Sequence, residues 1–175
     1  MADNIQIKPI SPASGLYIVS TPIGNLADMT FRAIEILKSV DLIAAEDTRH
    51  AQKLLQRYEI KTPATSFHSY TSEEKLEAII RQLLEGKSIA LISDAGTPGI
   101  SDPGWAFIKK AIDHNIKIIH IPGASALLPA LVASGLPTHH FIFYGFLPVK
   151  KGRKTLIESW RGEDRTIVLY ESPHR

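Results

Sequence analysis

The chain has 175 residues, 44% of them hydrophobic and 22% charged, which is enough for one soluble domain, or for one domain and part of a second. No run reaches the roughly 18 apolar residues of a membrane span. The N-terminus lacks a secretory signal's order of cationic then apolar residues, and the absence of cysteine excludes disulfides and thiolate metal sites and fits a cytoplasmic protein. The net charge of +2 is uneven: residues 1–148 hold 13 Lys+Arg against 14 Asp+Glu, and residues 149–175 hold 7 against 4.

Residues 1–14 read as a polar tail. Leu16–Ser20 (LYIVS) is the first predicted strand, followed by the turn-rich STPIGN (Ser20–Asn25) and a helix over Thr30–Ser39. Leu42–Ala45 (LIAA) is the second strand. The cluster EDTR (Glu46–Arg49) sits at its end and opens a helix over Thr48–Tyr58. Asp47 caps that helix and Glu46 complements its dipole; the arginine beside them is not needed for a cap and leaves a functional role open. Pro63–Phe67 is a weaker strand. Thr71 and Glu74 form a predicted capping box for a helix whose apolar face is Leu76, Ile79, Ile80, Leu83 and Leu84, stopped by Gly86.

The fourth strand, Ser88–Ile92 (SIALI), runs into SDAGTPGISDPG (Ser93–Gly104), and a helix over Pro103–His114 follows. Lys117–Ile121 (KIIHI) is the fifth strand, followed by PGASA (Pro122–Ala126) and a helix over Ser125–Ser134. Short, continuous apolar runs alternating with helices predict an α/β fold with a parallel sheet covered on both faces. A new strand begins within Gly135–Pro148 and leads to the loop YGFLP (Tyr144–Pro148). A basic helix over Gly152–Trp160 and a strand over Thr166–Glu171 come next. The predicted organisation is a tail (1–14), a parallel-sheet N-terminal domain (15–122), a connecting helix (123–136) and the beginning of a second α/β domain (137–175).

Ligands of open α/β sheets bind beyond the carboxyl ends of the strands, where this chain repeatedly places glycine and proline. Such loops bring backbone N–H and C=O groups close to a ligand, and Asp94 and Asp102 can accept from a ribose diol or an ammonium group. There is no G-x-x-x-x-G-K-[ST] phosphate loop and no G-x-G-x-x-G after the first strand. The loops also lack a cation for a pyrophosphate, so a nucleoside with little negative charge fits better. His139 and His140 lack a third metal ligand at suitable spacing, and Ser20 and Ser125 lack a nucleophile elbow. The basic run Lys150–Lys154 is either a solvated helix start or a contact for an anionic partner such as RNA.

STPIGNLADMTFRA, AAEDTR, SDAGTPGISDPG, PGASA, FYGFLP and YESPHR, in that order, resemble the ribosomal RNA small-subunit methyltransferase I family of the tetrapyrrole methylase superfamily. The resemblance implies S-adenosyl-L-methionine as cofactor, a homodimer with no membrane association, and 2′-O-methylation of a cytidine ribose in 16S rRNA of the small ribosomal subunit. Members are longer, so the chain is expected to be a C-terminally truncated form. The cofactor contacts it implies are Pro22, Ile23, Asp94, Gly96, Thr97, Pro98, Gly99, Ile100, Ser125, Ala126, Tyr144, Gly145 and Phe146. The expected chemistry is in-line methyl transfer to a ribose oxygen, with Arg49, Asp47, Asp102 and Glu171 as catalytic candidates and His174 beside them. Arg49 is the first choice for holding a phosphate or the reacting oxygen. The alternatives are a C-methyltransferase acting on a porphyrin precursor and a non-catalytic cofactor-binding fragment.

Overall fold

Strands buried on both faces need apolar residues at every position, and the runs that show this pattern become one sheet. The computed structural model describes residues 11–172. The strands are β1 (Gly15–Val19), β2 (Leu42–Ala45), β3 (Ala64–Ser66), β4 (Ser88–Ile92) and β5 (Ile118–Ile121). All pair in parallel, in the order β3-β2-β4-β1-β5. The central strands β1 and β4 are buried along their whole length.

The helices are α1 (Phe31–Ser39), α2 (Thr48–Arg57), α3 (Glu73–Leu84) and α4 (Gly104–Asp113). Alternate residues of β1, β2, β4 and β5 face opposite cores. Tyr17, Val19, Ile43 and Ile92 pack with Ile36 and Leu37 of α1 and Leu54 and Leu55 of α2. Leu16, Ile18, Ile89 and Leu91 pack with Ile79 and Ile80 of α3 and Phe107 of α4. Each such aliphatic side chain contributes about 1.5–3 kcal/mol on burial. Phe107 is fully buried, with its ring 5.0 Å from that of Phe67.

This division has a topological cause. The chain moves outward from β1 to β2 and β3, then returns to β4 and crosses to β5. Right-handed crossovers put the outward helices on one face and the returning ones on the other. The neighbours β1 and β4 therefore send their following loops to opposite faces, which opens a crevice between them at the strand ends.

The opposite end of the sheet is closed by Asp41, which joins β2 to β4. Its Oδ2 accepts from the Ser88 hydroxyl at 2.6 Å and the Ser88 N–H at 2.7 Å, and its own N–H donates to the Ser88 carbonyl at 2.9 Å. These bonds, the hydroxyl's first, hold the Asp41 carboxyl below its ordinary pKa. A depressed carboxyl stabilises the fold above its unfolded pKa and ceases to do so as pH falls through its folded pKa. Asp41→Asn is therefore expected to be less stable than the parent near neutral pH, and the gap should close below that folded pKa. Urea titrations at several pH values measure it; a gap that does not change with pH would remove the ionised carboxylate from the account.

The chain divides into two compact units after Ala124. The second contains α5 (Leu127–Ala133), β6 (Phe141–Phe146), α6 (Arg153–Ser159) and β7 (Thr166–Tyr170). Strands β6 and β7 pair in parallel, with a register shift between Phe143 and Phe146. The Tyr170 ring sits edge-on to those of Phe143 and Phe146.

Three local expectations are corrected. The cap of α3 is Ser72, whose hydroxyl accepts from the Lys75 N–H, while the Thr71 hydroxyl accepts from the His68 N–H. Moving the cap one residue on removes the Thr71–Glu74 box. Leu84 is the last residue of α3 and is 56% exposed, so the buried face of the helix is Leu76, Ile79, Ile80 and Leu83. Tyr144, Gly145 and Phe146 belong to β6 rather than to a loop; the bulge at Gly145, with φ of 65°, is where the turn signal falls.

Candidate active site

The loops after β1, β4 and β5 are fastened to one another at the strand ends. Thr21 and Gly96 exchange backbone bonds, N to O, of 2.9 and 3.0 Å, forming an isolated antiparallel bridge. Gly96 has φ of +80°, which glycine adopts without strain. The buried Thr21 hydroxyl donates to the Ser93 carbonyl at 3.0 Å. Ser20 and Thr97 share a hydroxyl–hydroxyl bond of 2.9 Å, and Thr97 Oγ1 reaches the Ala124 carbonyl at 3.4 Å. The bonds from the β1 loop to the β4 loop, and from the β4 loop to the β5 loop, thus join residues far apart in sequence.

Asp102 shapes the far end of the β4 loop. Its Oδ1 accepts from the Gly99 N–H at 2.7 Å and the Gly104 N–H at 2.8 Å, pinning the turn onto the start of α4. A Cβ at Gly104 would lie 2.9 Å from both Asp102 Oδ1 and the Gly99 nitrogen, so no larger residue fits without moving the loop. Pro98 is buried, whereas Ile23 and Ile100 stay exposed at 41% and 44%. Two aliphatic side chains held at the surface of fastened loops can serve as an apolar bed for a nucleoside. No Lys or Arg lies in either loop to meet a pyrophosphate.

Beside them, α2 brings the EDTR cluster. Asp47 caps α2 through Oδ1, which accepts from the Arg49 N–H at 2.8 Å and from Arg49 Nε at 3.1 Å, while Oδ2 accepts from Nη2 at 2.8 Å. The bonds from the Arg49 side chain and backbone hold the Asp47 carboxyl well below its ordinary pKa. The Asp47 N–H donates to Asp94 Oδ1 at 3.2 Å, and the Asp94 N–H donates to Glu46 Oε2 at 3.3 Å, so the β2 and β4 ends are also tied. Burial pushes the Glu46 carboxyl above its ordinary pKa, with the charges of Asp94 and Asp102 adding to the effect. Glu46, assigned from sequence only to the helix dipole, thus joins the candidates as a carboxyl poised nearer to neutrality.

A cavity of about 280 Å³ opens between the β1 and β4 loops and α2, lined by Pro22, Leu26, His50, Lys53, Leu54 and Asp94 among others. The Tyr58 hydroxyl donates to the Leu26 carbonyl and holds the β1 loop over α2. His50 and Lys53 had no sequence signal of their own, since the spacing of three that puts them on one helix face is common.

Ser125, Ala126, Tyr144, Gly145, Phe146 and Glu171 lie in the second unit, and His174 lies outside the described residues. Ala126 is the residue before α5. Arg153 Nη2 donates to Glu171 Oε2 at 3.1 Å. Part of the basic excess is neutralised locally, since Arg165 pairs with Glu163 and Lys154 with Glu158. No group of three possible metal ligands occurs among the described residues, and no helix among them is long and apolar enough to cross a membrane.

The sequence profile of the Tetrapyrrole (Corrin/Porphyrin) Methylases matches residues 15–175. The chain belongs to this family. It is 54% identical over 161 residues to the Ribosomal RNA small subunit methyltransferase I of Synechocystis sp., covering 91% of this chain and 58% of that protein. The chain therefore spans somewhat over half the length of this curated relative. The fold is similar to that of a diphthine synthase (TM-score 0.69, 16% identity, 91% of this chain and 64% of the other). It is also similar to that of a uroporphyrin-III C-methyl transferase from Thermus thermophilus in complex with S-adenyl homocysteine (TM-score 0.58, 18% identity, 89% of this chain and 68% of the other). The expectation of an α/β, parallel-sheet, tetrapyrrole methylase-like fold agrees with this architecture.

Proposed function

We propose that this chain is the cofactor-binding portion of an S-adenosylmethionine-dependent 2′-O-methyltransferase for a cytidine ribose in 16S rRNA of the small ribosomal subunit. The observation that carries the reading is the bridging of the β1, β4 and β5 loops at the strand ends, in a chain 54% identical to a protein named as a ribosomal RNA small subunit methyltransferase. The loops suit the cofactor: close backbone, an apolar bed at Ile23 and Ile100, and the Asp94 carboxylate for a diol or ammonium group. When bound, the cofactor supplies an activated methyl group. The chain's own task is then to orient the ribose oxygen in line and help it lose its proton. Arg49, oriented by Asp47, holds the reacting oxygen or a neighbouring phosphate, and Glu46 is the nearby carboxyl suited to accept the proton. Asp102 acts by shaping the loop. Glu171 and the second-unit contacts Ser125, Ala126, Tyr144, Gly145 and Phe146 remain assigned by resemblance, as do the homodimer, the domain limits at 122 and 136, and a cytoplasmic location. C-methylation of a porphyrin precursor is disfavoured, because its bearer resembles this chain at 18% identity against 54% for the rRNA enzyme.

Calorimetric titration with S-adenosylmethionine is expected to give saturable 1:1 binding. Tritiated methyl groups are expected to appear in small ribosomal subunits and not in a porphyrin precursor, using the chain extended to the length of its relatives if this segment alone is silent. Binding without transfer by the extended chain to either acceptor would leave only a cofactor-binding module.

A further inference from the structure

The cavity between the β1 loop, the β4 loop and α2 adjoins the cofactor candidates: Pro22 and Asp94 line it, whereas Thr97, Gly99 and Ile100 do not. Its volume, about 280 Å³, is below the usual range for a whole drug-sized ligand and so is small for a complete cofactor. Its walls are mostly apolar, from Pro22, Leu26, Ala51 and Leu54, with polar groups at the lip. Two of those groups are donors on one face of α2, the Lys53 ammonium and the His50 imidazole. Neither has a hydrogen-bond or ion-pair partner among the described residues. These two donors favour a ligand that presents acceptors, while the Asp94 carboxylate, which also lines the cavity, marks the side it shares with the cofactor.

We infer that this cavity receives the base of the target nucleotide, with Lys53 and His50 donating to the acceptors on its pairing edge. The inference rests on the rRNA reading above and names the residues that would select the base. Unpaired RNA bases are recognised in this way, splayed into an apolar slot and hydrogen-bonded on one edge. Cytosine offers two adjacent acceptors, O2 and N3, to two donors. Uracil replaces the N3 acceptor with an N–H, which would face a donor and lose its bond. The cavity therefore discriminates cytosine from uracil. Arg49, one residue before His50 and 89% exposed in its side chain, is placed to meet the sugar–phosphate that follows the base.

The chain has no cysteine, so a single introduced thiol reports on the cavity alone. Leu26→Cys is suited to this, because Leu26 is 44% exposed at the rim. Its rate of alkylation by N-ethylmaleimide is measured with cytidine 5′-monophosphate, uridine 5′-monophosphate or S-adenosylmethionine, and cofactor binding is followed separately by calorimetry. The expected result is strong protection by the cytidine nucleotide, and weaker protection by the uridine nucleotide and by the cofactor. Adding Lys53→Met should raise the half-protecting concentration about tenfold, the scale of one charge-assisted hydrogen bond. Stronger protection by the cofactor than by the cytidine nucleotide, or no protection by the cytidine nucleotide up to its solubility limit, would overturn the inference while leaving a cofactor-binding enzyme. Absence of cofactor binding in calorimetry would instead count against the functional reading beneath it.

Discussion

Arg49→Ala is expected to lower methyl transfer to small ribosomal subunits by about 100-fold or more, the cost typical of removing a positioned charge from a transition state, and to leave S-adenosylmethionine affinity unchanged. The variant is clean because of how Asp47 is used. The cap on α2 comes from the Arg49 backbone N–H, which alanine retains, so the helix start survives. What is lost is a guanidinium held by two side-chain bonds to Asp47, with its remaining N–H donors facing solvent. A planar fork fixed in direction before substrate arrives is suited to a phosphate or a developing alkoxide. Arg49→Lys should recover only part of the rate, since charge returns but the fork does not. Single-turnover transfer, calorimetry and a thermal melt together decide the matter; full turnover by Arg49→Ala would remove the residue from the chemistry.

Asp102 is expected to behave oppositely. Asp102→Ala should weaken cofactor binding by about tenfold or more, since it removes two charge-assisted bonds of about 1.5–3 kcal/mol each. Both bonds end on the same Oδ1, and they keep Gly99 and Gly104 within the reach that the absent Cβ of Gly104 permits. Asp102→Asn presents a carbonyl oxygen in the same place, so it should keep most of the affinity and most of the transfer. That contrast separates geometry from charge. If the Asp102→Asn variant bound cofactor normally but transferred no methyl group, the carboxylate would belong to the reaction after all.

Local rules along the chain were enough for the strands and for the kind of loop that follows them. LIAA and SIALI are strands at the boundaries read from the bare sequence, because a strand covered on both faces must be apolar throughout and that demand is local. Glycine and proline marked the loops for an equally local reason, the φ angles and missing donors that bending requires. At α3 the local rules misplaced a cap by one residue, since Ser72 and Thr71 satisfy the same preference. At β6 a glycine bulge gave the signal of a turn.

Which loops meet was settled by the packed fold alone. Nothing near Thr21 in the sequence points to Gly96, and nothing near Ser20 to Thr97; β1 and β4 become neighbours because the returning crossover inserts β4 between β1 and β2. The same insertion places His50 and Lys53 opposite the β4 loop and half-buries the Glu46 carboxyl beside Asp94. Hydrophobic period and turn chemistry are short-range and so can be read along the chain. Pairing order and the raised pKa of the Glu46 carboxyl depend on groups tens of residues away, brought close by the choice of crossover.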